Sequence, residues 1–148
     1  MADAATISVT ATMLPDEIAK VITGSMTVTP TDANDKWYYK LTSVTTTSTD
    51  LIAGSFLNYT AIAVGTGHTA ITTSDKVRFL FIQNTDGTNA VYINTSDAAA
   101  SASAVGSLYI PAGETMVLRT PNTTVGAIHA ITSASTVTCI VAALIDDV

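Results

Sequence analysis

The residues of this chain that could do chemistry are few and scattered. Two histidines (His68, His129), one cysteine (Cys139) and twelve acids are the whole stock of conventional ligands, bases and nucleophiles. A zinc site needs Cys or His ligands at short, regular spacing, and neither histidine has a cysteine or a second histidine at such spacing. A calcium loop needs several oxygen ligands within about a dozen residues. Here Asp86 and Asp97 sit in separate turn segments, and Asp146 and Asp147 lie at the end of the sequence. No metal site is expected. Gly65-Thr66-Gly67-His68-Thr69-Ala70 has the letters of a dinucleotide fingerprint. That motif works only where the glycines open a helix whose N-terminus receives a pyrophosphate. The residues that follow, Ile71-Thr72-Thr73-Ser74-Asp75, lead toward a strand, so the segment reads as a glycine-rich loop and no cofactor is expected. Gly24-Ser25, Gly54-Ser55 and Gly106-Ser107 each lack the second glycine of a nucleophile elbow. Cys139 lies in the apolar run Val137 to Ile145 and reads as a small buried hydrophobe. With no catalytic residues to assign, the chain is not expected to be an enzyme.

Composition narrows the remaining classes. Only 12% of the 148 residues are charged, against a usual share of about a quarter. Threonine, serine and alanine fill the gap, and the mean hydropathy is +0.40. A surface of this kind has few repelling charges to keep molecules apart, which points to partial coverage by other subunits. Six scattered basic residues and a net charge of −6 exclude a grip on phosphate backbones, so no nucleic-acid partner is expected. The longest uninterrupted apolar run, Cys139 to Ile145, is far shorter than the roughly 20 residues a membrane helix needs, so no membrane partner is expected either. The start, Met1-Ala2-Asp3-Ala4-Ala5, carries an acid where a secretory peptide carries positive charge. The expectation is a soluble protein made in a cytoplasm.

The elements that would hold these residues are short strands. From Lys76 onward the runs KVRFLFIQN, AVYIN, SLYIP, TMVLR, AIHAI and STVTCIVAALI are separated by turn-forming segments such as Asp86-Gly87 and Pro111-Ala112-Gly113-Glu114. Closely spaced strands of this type predict an all-β fold, an antiparallel β-sandwich or jelly-roll-like barrel. Val77, Phe79 and Phe81 should share one face of a central strand, with Leu80 and Ile82 on the other. In the first half, Trp37, Tyr39 and Leu41 alternate with Lys36, Tyr38 and Lys40 and are expected in the core. Leu14, Ile18, Val21 and Ile22 have helical spacing, with Pro15 at the entry and Gly24 as the stop, and predict one short N-terminal helix. Thr45 to Thr49 reads as a loop, Leu51 to Val64 as one or two strands, and Ala98 to Ala104 as a surface loop. Residues 1–148 are expected to form a single domain, with 1–14 as an extended arm. In that arm Ile7, Val9 and Ala11 alternate with Ser8 and Thr10, giving one apolar strand face that is the candidate interaction site.

The second half resembles a pattern found in small virion proteins of tailed bacteriophages. In that pattern a strand ending in F-x-x-N-T is followed by a glycine turn, a V-Y-I strand, a small-residue loop and an I-P-A-G-E turn. The matching residues are Phe79 to Thr85, Val91-Tyr92-Ile93 and Ile110 to Glu114. The first half, with Met13 to Lys20 and Trp37 to Leu41, is similar to small structural proteins of marine phages. The resemblance implies a structural virion subunit that binds the outer surface of a capsid as a decoration or cement protein. It also implies a phage major capsid protein and further copies of this chain, arranged as a homotrimer, as partners. The alternatives are a tail, neck or tail-tip subunit, or a host- or glycan-binding module whose best stacking residues would be Tyr59 and Tyr109.

Overall fold

The computed structural model describes residues 4–13, 20–31, 35–52, 71–103 and 106–146. Among them every regular element is a strand except one turn of 3-10 helix at Val125–Ala127. The chain divides into two compact units, residues 1–33 and residues 34–148.

The first unit is a two-stranded antiparallel ribbon. β1 (Ala5–Met13) pairs with β2 (Lys20–Val28) along nine consecutive positions, from Ala5 opposite Val28 to Met13 opposite Lys20. The expected N-terminal helix is corrected here. Val21 and Ile22 lie in β2, and Gly24, expected to end the helix, sits within the strand opposite Val9; Leu14 and Ile18 lie outside the described residues. For Val21 and Ile22 the strand wins because Val21, Ile22, Thr23, Thr27 and Val28 are β-branched side chains that favour a pleated surface.

The second unit is the expected β-sandwich. Its larger sheet contains β3 (Lys36–Val44), β5 (Lys76–Asn84), β8 (Thr115–Thr124) and β10 (Val137–Asp146), in the order β3-β10-β5-β8. Its smaller sheet contains β4 (Thr49–Asp50), β6 (Val91–Asn94), β7 (Leu108–Ile110) and β9 (His129–Thr132), in the order β4-β9-β6-β7. All pairs are antiparallel. One core joins the two sheets: Val137, Cys139, Val141, Ala143 and Ile145 from β10 and Leu80 and Ile82 from β5 meet Val91, Ile93, Ile110 and Ala130 from the smaller sheet.

Two strand faces differ from expectation. On β3 the buried residues are Lys36, Tyr38 and Val44, while Tyr39 and Leu41 are 46% and 57% exposed. Register explains the reversal. Tyr38 lies opposite Ala143 and Val44 opposite Val137, both on the inward face of β10, so the large phenol fills space above a small alanine. Trp37, Tyr39 and Leu41 therefore line the outward face of the sheet, where Trp37 meets Phe79 edge to face at 6.4 Å. On β5 the register shifts between Val77 and Phe79. This irregularity turns Val77 into the core cluster, away from the outward face that Phe79 and Phe81 share, and breaks the simple alternation. Arg78, at the shift, pairs with Asp146.

The crossings between sheets gather at two corners. At one, buried Asn84 ends β5 and donates from Nδ2 to the carbonyls of Asn89 (2.8 Å), Pro111 (3.0 Å) and Ile110 (3.4 Å). Its Oδ1 accepts from the Asp86 N–H at 3.0 Å, and its own N–H donates to Glu114 O. Next to it the Thr85 hydroxyl and N–H both donate to the Thr138 carbonyl. Three crossings, β5 to β6, β7 to β8 and β9 to β10, are thus tied through two adjacent side chains. At the other corner the 3-10 turn is held by Val125 N–H to Asp75 O and Gly126 N–H to Thr73 O. A Cβ at Gly126 would stand 3.0 Å from the Thr73 Cβ, so the close approach of these two loops requires glycine there.

Replacing Asn84 with alanine leaves buried carbonyls and an N–H without partners, and should cost about 2–4 kcal/mol of unfolding free energy, measured by urea denaturation. Asp86 governs the same loop through pH. Its carboxylate accepts from the Asn89 and Thr88 N–H groups, which holds its pKa below the ordinary value of 3.8. Because folding lowers this pKa, the ionised group stabilises the fold above pH 3.8 and that contribution is lost as pH falls through the lower folded value. An Asp86→Asn variant should be less stable than the parent at neutral pH, and the gap should close in acid melts.

Candidate functional site

The candidate sites on the described residues are surfaces of the ribbon and of the sandwich. No group of three or more His, Cys, Asp or Glu side chains among them could hold a metal ion. No helix among them is long and apolar enough to cross a membrane. His68 and the glycine-rich segment Gly65 to Ala70 lie outside the described residues, as do Tyr59 and most of the stretch from Leu51 to Val64. Cys139 is fully buried, and removal from water pushes its thiol up to about 11. The side chain is a core hydrophobe with almost no nucleophilic thiolate at neutral pH.

The candidate interaction residues Ile7, Val9 and Ala11 fall on one face of the β1-β2 ribbon. Pairing places Met26 opposite Ile7, Gly24 opposite Val9 and Ile22 opposite Ala11, so β2 extends the same apolar face. Val9 and Ile22 remain 54% and 49% exposed. The reverse face is Thr6, Ser8, Thr10 and Thr12 against Thr27, Ser25, Thr23 and Val21. The ribbon is therefore amphipathic with almost no charge: Lys20 is the one charged residue in its eighteen strand positions. The two strands pair without a bulge and contain no proline, and Lys20 at one end is the one lysine of the kind that usually guards exposed strands.

The sandwich has two outward faces of different character. On the larger sheet the register aligns Tyr39, Ala142, Phe81 and Val117 in one row and Leu41, Ile140, Gln83 and Thr115 in the next. That face is broadly apolar. Beside it, Lys40 to Ser43, Thr49 and Asp50 line an open groove of about 670 Å³.

On the smaller sheet the outward face mixes aromatic and polar groups. Val91-Tyr92-Ile93 and Leu108-Tyr109-Ile110 each put two aliphatic side chains inward, so each middle tyrosine must face out. The strands align Tyr92 with Tyr109, whose rings lie 5.2 Å apart at 46°, and Tyr92 with Ile131 on the other side. The adjoining row is Asn94 opposite His129 and His129 opposite Asp50. His129 Nδ1 stands 3.1 Å from Asp50 Oδ1, and its Nε2 is 4.0 Å from Asp97 Oδ1. Asp97 adopts the left-handed backbone conformation (φ 62°) and donates its N–H to the Ala127 carbonyl. Sequence reasoning weighed Tyr109 together with Tyr59, which lies outside the described residues, and did not pair it with Tyr92. The available signal was the pair of matching aliphatic-Tyr-aliphatic triplets, which sets both phenols on one side of one sheet.

In comparisons by sequence and by structure, no protein-family model, curated protein or solved structure matches the chain.

The buried thiol gives a direct check of the core. Cys139 should resist a thiol reagent such as dithionitrobenzoate at pH 8 in the folded protein and react fully, one thiol per chain, in denaturant. Rapid labelling without denaturant would show that β10 is not packed between the sheets as described.

Proposed function

We propose that the chain is a structural subunit of a tailed-phage virion, a decoration or cement protein that attaches to the outer capsid surface and stabilises the shell. The observation that carries this reading is the β1-β2 ribbon. An isolated two-stranded ribbon is at best marginally stable in water, and this one leaves Val9 and Ile22 half exposed on its apolar face. The core cluster of the sandwich contains no residue of 1–33. A ribbon with one charge, Lys20, and an apolar face that runs from buried Val28 to exposed Ile22 and Val9 is suited to binding another surface.

The partners on this reading are the major capsid protein and other copies of this chain, as a homotrimer. A ribbon edge joins a neighbouring sheet through main-chain hydrogen bonds, and its apolar face supplies buried area. Low charge serves the same end, because contact between charge-poor surfaces leaves few ions without solvent. Cement proteins gain by spanning neighbouring capsomers, where interfaces of thousands of Å² are common. The resemblance of the Phe81 to Thr85 and Ile110 to Glu114 segments to virion proteins supports the same class.

Two measurements test the proposal. Quantitative mass spectrometry of purified particles should find hundreds of copies per virion; a handful would place the chain in the neck or tail, and none would sink the virion reading. A Val9→Asp, Ile22→Asp variant should melt within about 1 kcal/mol of the parent, since both side chains are exposed, yet lose capsid attachment or self-association in sedimentation. Unchanged assembly would remove the ribbon from the interface.

A further inference from the structure

The outward face of the smaller sheet is not used by the ribbon argument, and its chemistry is different. We propose that this face binds a neutral pyranose sugar, stacked on Tyr109 and Tyr92 and hydrogen-bonded by Asn94, His129 and Asp50. A hexopyranose is itself amphipathic: one ring face presents C–H groups, and the rim presents hydroxyls. Recognition therefore needs an aromatic surface next to fixed donors and acceptors.

Both are present and in register. Tyr109 is 52% exposed on the three-residue edge strand β7, and its main ring neighbour is Tyr92, 5.2 Å away. Tyrosine suits such a site because the ring is apolar while the phenol remains wet. One step along β6, two residues from Tyr92, Asn94 begins the polar row. Residues two apart on a strand stand about 7 Å apart, a span that a single sugar ring with its hydroxyls can bridge.

The polar row is held in place. His129 is fixed by Asp50 at Nδ1, and that contact orders the carboxylate as well as the ring. Asn94 Oδ1 accepts from the Ser96 N–H and hydroxyl, both at 2.7 Å, which fixes the amide and orients Nδ2 as a donor. Two of the six side chains around the site, Asp50 and Asp97, are acids, in a chain whose net charge is −6. Carboxylates accept strongly from sugar hydroxyls but repel sialic and uronic acids, so charge selects neutral glycans. The inference stands apart from the capsid reading, since a sugar-binding face could serve a subunit at any station on a particle.

The test is a glycan array carrying neutral, sialylated and uronic-acid glycans, probed with the fluorescently labelled full chain. Binding to neutral glycans is expected, confirmed by saturation-transfer NMR on the best free oligosaccharide from the array. Tyr109→Ala should weaken it about tenfold or more, Tyr109→Phe should keep most of it, and Asn94→Ala should lower it with the stacking intact. Tyr39→Ala, on the outward face of the other sheet, should leave it unchanged; circular dichroism of each variant separates lost binding from lost fold. Binding to no glycan, binding only to acidic glycans, or binding that survives Tyr109→Ala would each overturn the assignment. So would self-association that Tyr109→Ala abolishes, which would make the tyrosine pair a contact between copies.

Discussion

The sandwich depends on a buried amide. Two sheets joined by repeated crossings need corners whose carbonyl and N–H groups are satisfied away from water, because an unpaired buried polar group costs about as much as the fold can spare from any single interaction. Asn84 meets that need at the crowded end: one side chain donates to three carbonyls, of Asn89, Ile110 and Pro111, and accepts from the Asp86 N–H. Asparagine is suited to the position because its short amide carries donor and acceptor side by side. Aspartate would supply no donor at neutral pH. The adjoining Thr85, with two bonds to the Thr138 carbonyl, extends the same clamp to the start of β10.

This corner also gives physical meaning to the motif pattern in the second half of the chain. The N-T of Phe81 to Thr85 and the I-P-A-G-E of Ile110 to Glu114 are two sides of one hydrogen-bonded junction, with Asn84 touching Ile110, Pro111 and Glu114. Gly113, at φ 75°, supplies the left-handed residue that closes the turn. Such residues are demanded by architecture. They mark a way of folding a compact sandwich, and the station that sandwich occupies has to be argued from its surfaces.

Much of the sandwich was legible because its strands announce themselves by alternation and by turns at Asp86-Gly87 and Pro111 to Glu114. The misreadings share a cause. Tyr38 and Trp37 are both large and aromatic, so composition could not choose the inward face of β3; the choice rests on which of them stands over Ala143, a long-range register. The place of Val77 depends on the shift beside Arg78, which period-two counting cannot see. Val21 and Ile22 fit a helix and a strand equally by spacing, and pairing with β1 decides between them. The apolar face at Ile7, Val9 and Ala11 was visible in sequence, but its extension through Ile22 and Met26 needed the partner strand. The tyrosine pair was missed because the two tyrosines are separated by sixteen intervening residues and meet only through β6-β7 pairing.

The two units bury their side chains to different extents. The sandwich packs its apolar side chains between two sheets and satisfies the buried Asn84 amide within its own loops. On the ribbon the apolar face runs from buried Val28 to half-exposed Ile22 and Val9. For a marginal element of this kind, association and ordering are linked, because whatever pairs its edge also supplies the free energy that holds its strands together. Affinity is then reduced by the ordering cost, but specificity rises, since the binding conformation persists only where a complementary edge and face are both present. With one charge in eighteen strand positions the ribbon offers little electrostatic steering, so any recognition by it rests on short-range fit of face and edge.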